Sequence, residues 1–166
     1  MFQIGDQVVY GVHGVCQIAE LEERIIDRKP VQYFVLEPLE HSGSRFLVPA
    51  QNPAALAKLR PVLTAEALQA LLSSEEICSD VWIPDENLRK QQYRILIGNG
   101  DRAALLRMVY SLRRQKELQQ AAGKKFHMCD ENFLRDAEKL LRGEFSLVLG
   151  IAPEQIDARI RSLMGK

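Results

Sequence analysis

Hydrophobic and polar positions follow two rhythms along this chain, and the change falls near residue 60. Before it, runs rich in β-branched and aromatic residues alternate with turn formers. Gln7-Val8-Val9-Tyr10 is followed by Gly11 and Gly14, then Val15 to Leu21, then an Asp27-Arg28-Lys29-Pro30 turn. Val31 to Leu36, a His41-Ser42-Gly43-Ser44 turn and Arg45 to Val48 complete the series. Strand-like runs punctuated every ~8–12 residues predict a small antiparallel barrel or curled sheet. Pro49 and Pro53 stop the pattern, because proline cannot donate to a β-ladder.

Beyond Pro61 the period becomes helical. Thr64 is placed to cap a short helix whose apolar residues are Leu68, Leu71 and Leu72, and the polar stretch Ser73 to Asp80 reads as a connection. Pro84 suits a first helical turn, with Asp85 and Glu86 at its positive end. This helix is predicted to reach Ile97, where Gly98-Asn99-Gly100 ends it and Asp101 caps the next. That next helix presents Leu105, Met108, Val109 and Leu112 on one face, and Gly123-Lys124-Lys125 breaks it. A third starts near Asp130 and is expected to bury Phe133, Ala137, Leu140, Leu141, Leu147 and Val148 before Gly150. Pro153-Glu154 opens a last helix with Ile156, Ile160 and Leu163. The expected organisation is therefore α+β: a β-barrel domain over 1–60 and an all-helical domain over 61–166.

Charge sharpens that division. Overall there are 22 basic and 22 acidic residues, but residues 1–80 hold six Lys/Arg against eleven Asp/Glu, and residues 81–166 hold sixteen against eleven. Halves of opposite sign suit two surfaces with different tasks, the basic one fitted to a polyanion. No run approaches the ~18 apolar residues of a membrane span, and the start MFQIGDQVVYG lacks the pattern of a signal peptide. Cys16, Cys78 and Cys129 are scattered and odd in number, which predicts reduced, buried thiols in a cytoplasm, with neither disulfides nor zinc.

The chemistry of enzymes is hard to find. Phosphate-loop, dinucleotide, H-E-x-x-H and G-x-S-x-G signatures are all missing. His13, His41 and His127 lie in turn-like contexts, and the paired acids Glu22-Glu23, Glu75-Glu76 and Asp130-Glu131 are sequence neighbours that face different ways. No catalytic group, metal, cofactor or small-molecule substrate is expected. Two binding features remain. Trp82, the single tryptophan, stands where the polar connection meets a helix start. It is either packed between helices or an exposed aromatic plate beside the ten Lys/Arg between residues 85 and 125, which face four acids. Cations neutralise phosphates while an aromatic wedge enters or stacks on a base step. The N-terminal module, in turn, suits a peptide or protein partner, and Arg24 lies near the end of a predicted strand, where a merely solvated charge is the alternative.

Taken in order, these residues resemble the CarD (CdnL) family of bacterial transcription regulators. The resemblance is carried by FQIGDQVVYGVHGVCQI, Phe34-Val35-Leu36, Val48-Pro49-Ala50 with Asn52, Trp82, Arg89-Lys90 with Tyr93, Gly100-Asp101, Arg113-Arg114, Gly123-Lys124-Lys125, Ala137-Glu138-Lys139 with Leu141, and Glu144-Phe145. It covers nearly the whole chain. It implies a Tudor-like N-terminal barrel, shared with the transcription-repair coupling factor, that grips the RNA polymerase β subunit. It also implies a helical domain contacting promoter DNA at the upstream edge of the transcription bubble, where a tryptophan wedges into the minor groove. Carried over by position, Arg24 matches a polymerase contact and Trp82 the wedge. A second contacting arginine of the family falls on Leu47 here, and Arg45, two residues earlier on the same strand face, is the substitute. Ile83-Pro84-Asp85-Glu86 follows Trp82 where some relatives are basic, so phosphate contacts are expected from Arg89, Lys90, Arg113 and Arg114. The implied location is cytoplasmic and nucleoid-associated. The competing expectation is a protein–protein adaptor in which Trp82 belongs to the core.

Overall fold

The first predicted strand forms as β1 (Gln7–Tyr10), with Val8 and Val9 buried. Gly11 and Gly14 adopt the left-handed φ values of 46° and 74° that turn the chain through a short 3-10 segment into β2 (Val15–Ile26). β3 (Lys29–Pro38) returns antiparallel to β2, ten paired positions long from Cys16–Pro38 to Ile26–Lys29, with a bulge between Ile18 and Glu20. Asp27 and Arg28 join them, both with positive φ (50° and 64°), as a two-residue turn with that backbone requires. β4 (Phe46–Pro49) pairs with β3, α1 (Pro53–Leu56) is capped by the Asn52 carboxamide, and β5 (Leu59–Pro61) pairs back on β1. These coordinates are a computed structural model describing residues 2–39 and 43–164, so the turn expected at His41-Ser42 lies outside the described residues.

The expected barrel is not what the chain builds. The sheet is open, in the order β4-β3-β2-β1-β5, and closure would need β4 to pair with β5. Those two strands stand at opposite edges and are four and three residues long, whereas the central β2 and β3 run to twelve and ten. Short edges cannot complete the ladder of a long central ribbon. Val8, Cys16, Ile18, Leu36, Val48 and Leu59 form the buried cluster on one part of the sheet. Past the bulge, the ribbon outruns that core, and Ile25 is 77% exposed.

Residues divide into two compact units, Met1–Val62 and Leu63–Lys166. The second is helical throughout its described regular structure: α2 (Ala65–Leu72), a 3-10 turn at Glu75–Cys78, α3 (Glu86–Asn99), α4 (Arg102–Ala121), α5 (Met128–Leu149) and α6 (Pro153–Met164). Side-chain caps explain the starts, with Thr64, Asp85 and Asp101 accepting from Ala67 N, Leu88 N and Ala103 N. Left-handed Gly100 and Gly150 end α3 and α5. Because Asp85 is the cap, Pro84 lies before α3 and not in its first turn.

Two expectations about this core need correcting. The polar connection is not featureless: Ile77 in its 3-10 turn is 1% exposed and joins the central cluster. On α5 the buried face is centred on Leu134, Ala137, Leu141 and Phe145, while Leu147 is exposed and Phe133, Leu140 and Val148 are only partly covered. Leu105, Met108, Val109 and Leu112 of α4 are all buried. Ile156 and Ile160 of α6 are buried as well; the side chain of Leu163 lies outside the description.

Candidate functional site

Trp82 lies on a non-helical segment, Ser79 to Asp85, that three helices tie down. The backbone N–H of Val81 donates to the fully buried Ser111 hydroxyl on α4 at 2.7 Å, and that of Trp82 donates to Asp80 Oδ1 at 3.0 Å. On the other side of Trp82, Arg89 Nη1 donates to the carbonyls of Ile83 and Pro84 at 3.0 and 3.3 Å. Arg89 belongs to α3, and its Nε and Nη2 both bond Asp130 of α5 at 2.9 Å. The guanidinium carbon of Arg89 sits 4.2 Å from the centroid of the Trp82 ring, within cation–π range. The indole is half-buried and packs in part on the helical core.

Geometry separates the basic residues that the sequence groups together. Arg89 is 3% exposed, so its fork is spent inside the helical unit and does not reach outward. Arg113 is mostly covered and bonds Glu138 at 2.7 Å, with its Nη1 buried and without a hydrogen-bond partner. Arg102 binds Glu144 through two contacts of 2.8 and 2.7 Å, and the same carboxylate accepts from Leu63 N at 3.0 Å. Lys90 pairs with Glu86 one turn away at 3.2 Å; that hydrogen bond, with Cys129 nearby, raises its pKa. Arg114 is exposed and reaches Asp80 at 3.7 Å, placing it beside the segment that carries Trp82. Arg94, Arg107, Lys124 and Lys125 make no ion pair among the described residues.

In the sheet unit, Arg24 is exposed on the outer half of the β2–β3 ribbon and pairs loosely with Glu22 at 3.2 Å. Ile25 and Ile26 follow it, both exposed. Arg45 precedes β4 and reaches across to Glu20 at 2.6 Å and Glu37 at 3.4 Å. Leu47 lies within β4, opposite Val35, and is half-buried. Arg45 and Leu47 thus belong to the β4 edge, and Arg24 to the ribbon end. A concave, largely apolar cavity of about 490 Å³, which no sequence pattern announced, is lined by Phe2, Leu21, Phe34 and Leu56 together with Gln32 and Gln51.

Among the described residues no three His, Cys, Asp or Glu side chains are placed to hold a metal ion. The cysteines are free thiols of three kinds: Cys16 is buried, Cys78 half-buried and Cys129 exposed, so the expectation that all three are buried fails at Cys129. Cys129 lies in the first turn of α5, next to the buried Asp130 but exposed itself. No helix among the described residues is long and apolar enough to cross a membrane.

Comparison with known proteins agrees with this division. Residues 2–63, the sheet unit almost residue for residue, match the family described as the CarD-like/TRCF RID domain. A Bacillus subtilis (strain 168) protein described as "Putative transcription factor YdeB" is 28% identical over 160 residues, spanning 94% of this chain and 97% of the relative. That likeness extends over both units. The match of the sheet unit to the CarD-like/TRCF RID domain and the likeness of both units to a protein described as a putative transcription factor together support assigning the chain to the CarD/CdnL family.

Proposed function

We propose that the chain docks on the RNA polymerase β subunit through residues 1–60 and stabilises the open promoter complex through residues 61–166. In this reading Trp82 is the wedge at the upstream edge of the bubble, entering the minor groove. The observation that carries it is the placement of the only tryptophan on a tied-down loop, half-exposed, with Arg114 reaching Asp80 of the same segment. Lys90, one position beyond Arg89 on α3, supplies a phosphate contact from the same region. Arg113 supports the surface from within α4, and Arg89 acts behind it. On the sheet unit, Arg24 is the polymerase contact, with Arg45 and Leu47 on the β4 edge as the second patch.

A ligand shifts an equilibrium only by its differential affinity for the two states. A stacked or wedged indole worth ~1–3 kcal/mol changes the open-to-closed ratio by about five- to a hundredfold. Regulation therefore needs no chemistry, in keeping with the lack of catalytic signatures in the sequence. Docking on polymerase supplies effective concentration, so modest DNA affinity suffices.

The test is the lifetime of open complexes on a promoter fragment with Trp82→Ala. The expected outcome is a lifetime shortened by about fivefold or more while the variant still co-purifies with polymerase. An unchanged lifetime with polymerase still bound defeats the wedge. A companion pull-down with the β subunit addresses the sheet unit, where Arg24→Glu is expected to lose most of the binding.

One observation favours a second reading, a protein–protein adaptor: the indole packs partly on the helical core. Acrylamide quenching of its fluorescence discriminates, because an adaptor's core tryptophan resists quenching and a wedge does not.

A further inference from the structure

Arg89 and Asp130 form the most buried ion pair of the described residues, with side chains 4% and 1% exposed. Holding two helices together does not require it. Well-packed apolar residues of similar volume often replace a buried ion pair at no loss of stability, and α3 and α5 already share the contact of Tyr93 with Phe133. What the arginine adds is directed at Trp82. Its guanidinium lies over the indole at 4.2 Å, while its Nη1 bonds the carbonyls of the two residues that follow the tryptophan. Asp130 binds the remaining two nitrogens, so the guanidinium has no rotamer freedom left. Upstream, Val81 is fixed on Ser111 and the Trp82 amide on Asp80.

We propose that Arg89, clamped by Asp130, is a positioning residue for Trp82: it occupies one face of the ring and fixes the backbone beyond it, so that the partner meets the indole in a preset orientation. The inference rests on the wedge reading above and goes further, assigning the family-matching arginine to the tryptophan and not to DNA. The physical gain is preorganisation. A side chain already immobilised in its bound geometry loses less freedom on binding, and a flat guanidinium is suited to lie against an aromatic face.

The chain provides its own reporter, since Trp82 is its single tryptophan. The paired replacement R89M/D130L removes the clamp without stranding a buried charge; Arg89→Lys, which keeps a cation for Asp130, serves if the pair does not fold. Time-resolved fluorescence anisotropy of the free protein reads ring motion, and open-complex lifetime with polymerase and promoter reads function. The expected result is a larger amplitude of fast indole motion and a lifetime cut by at least about half of the logarithmic loss that Trp82→Ala produces. In a Trp82→Ala background the same replacement should add nothing. An indole that stays immobile overturns the proposal. So does a lifetime loss of equal size in the Trp82→Ala background, which places the arginine's effect elsewhere. A normal lifetime in the clamp variant beside a short one in Trp82→Ala defeats the positioning role alone. A normal lifetime in Trp82→Ala itself defeats the wedge reading, whatever the clamp variant does.

Discussion

Arg89 and Arg114 look equivalent as letters, both arginines in a basic stretch, yet one is 3% exposed and the other has its side chain 55% exposed. The difference lies in their partners. Arg89 meets Asp130, forty-one positions away, and no local pattern announces that pairing. Helical period placed Leu105, Met108, Val109 and Leu112 correctly because burial on one face repeats with the turn; ion-pair partners on different helices carry no such repeat. Cysteines show the same limit. Burial pushes the Cys16 thiol up from its ordinary 9.0 to about 11, whereas Cys129 stands in the open. Brief alkylation of the folded protein is therefore expected to modify Cys129 and spare Cys16, as read by peptide mass spectrometry. The raised value also has a sign. Stability from keeping Cys16 protonated is complete below about pH 9 and is lost as pH rises through about 11. Alkaline melts should show a larger loss in the wild type than in Cys16→Val, where the buried Tyr93 still contributes.

At the scale of elements, the strands and helices of this chain were largely legible, and their ends less so. Caps are local: Thr64 and Asp101 act within three residues of their own position, so the sequence shows them. β5 was not visible, because three residues ending in proline make a strand only when β1 is there to receive them. The β2–β3 ribbon also outran its predicted ends, since the residues at Glu22 and Glu23 interrupt the apolar pattern without interrupting the ladder. The Arg102–Glu144 pair joins α4 to α5 and also holds the backbone of Leu63, at the entry to the helical unit. Glu144→Leu takes the carboxylate away from a largely buried guanidinium and from a backbone amide together. Loss of about 3–5 kcal/mol is expected, measured by urea denaturation followed through Trp82 fluorescence, and Arg102→Leu in the same chain should recover much of it.

For the whole molecule, a net charge of zero conceals the opposite signs of the two halves. Six of the ten cations between residues 85 and 125 are engaged by carboxylates, most of them from outside that stretch, so the stretch is less positive outwardly than its own ten-to-four count implies. Without polymerase, binding to a promoter duplex is expected in the range of non-specific binders, a Kd of about 10⁻⁴–10⁻⁶ M at physiological salt. Fluorescence anisotropy of labelled DNA checks this, and a nanomolar, salt-insensitive Kd would contradict it.

An open sheet carries a liability that a closed barrel lacks: two rims of main-chain groups on which a second copy could stack. Here the rims are β4 and β5, both brief, and each finishes in a proline, Pro49 and Pro61. Brevity and proline are the standard defences against edge-to-edge growth of sheets. Exchanging both prolines for threonine should leave the chain folded yet make its light scattering rise with concentration, and colloidal behaviour would then be traceable to two strand-ending residues.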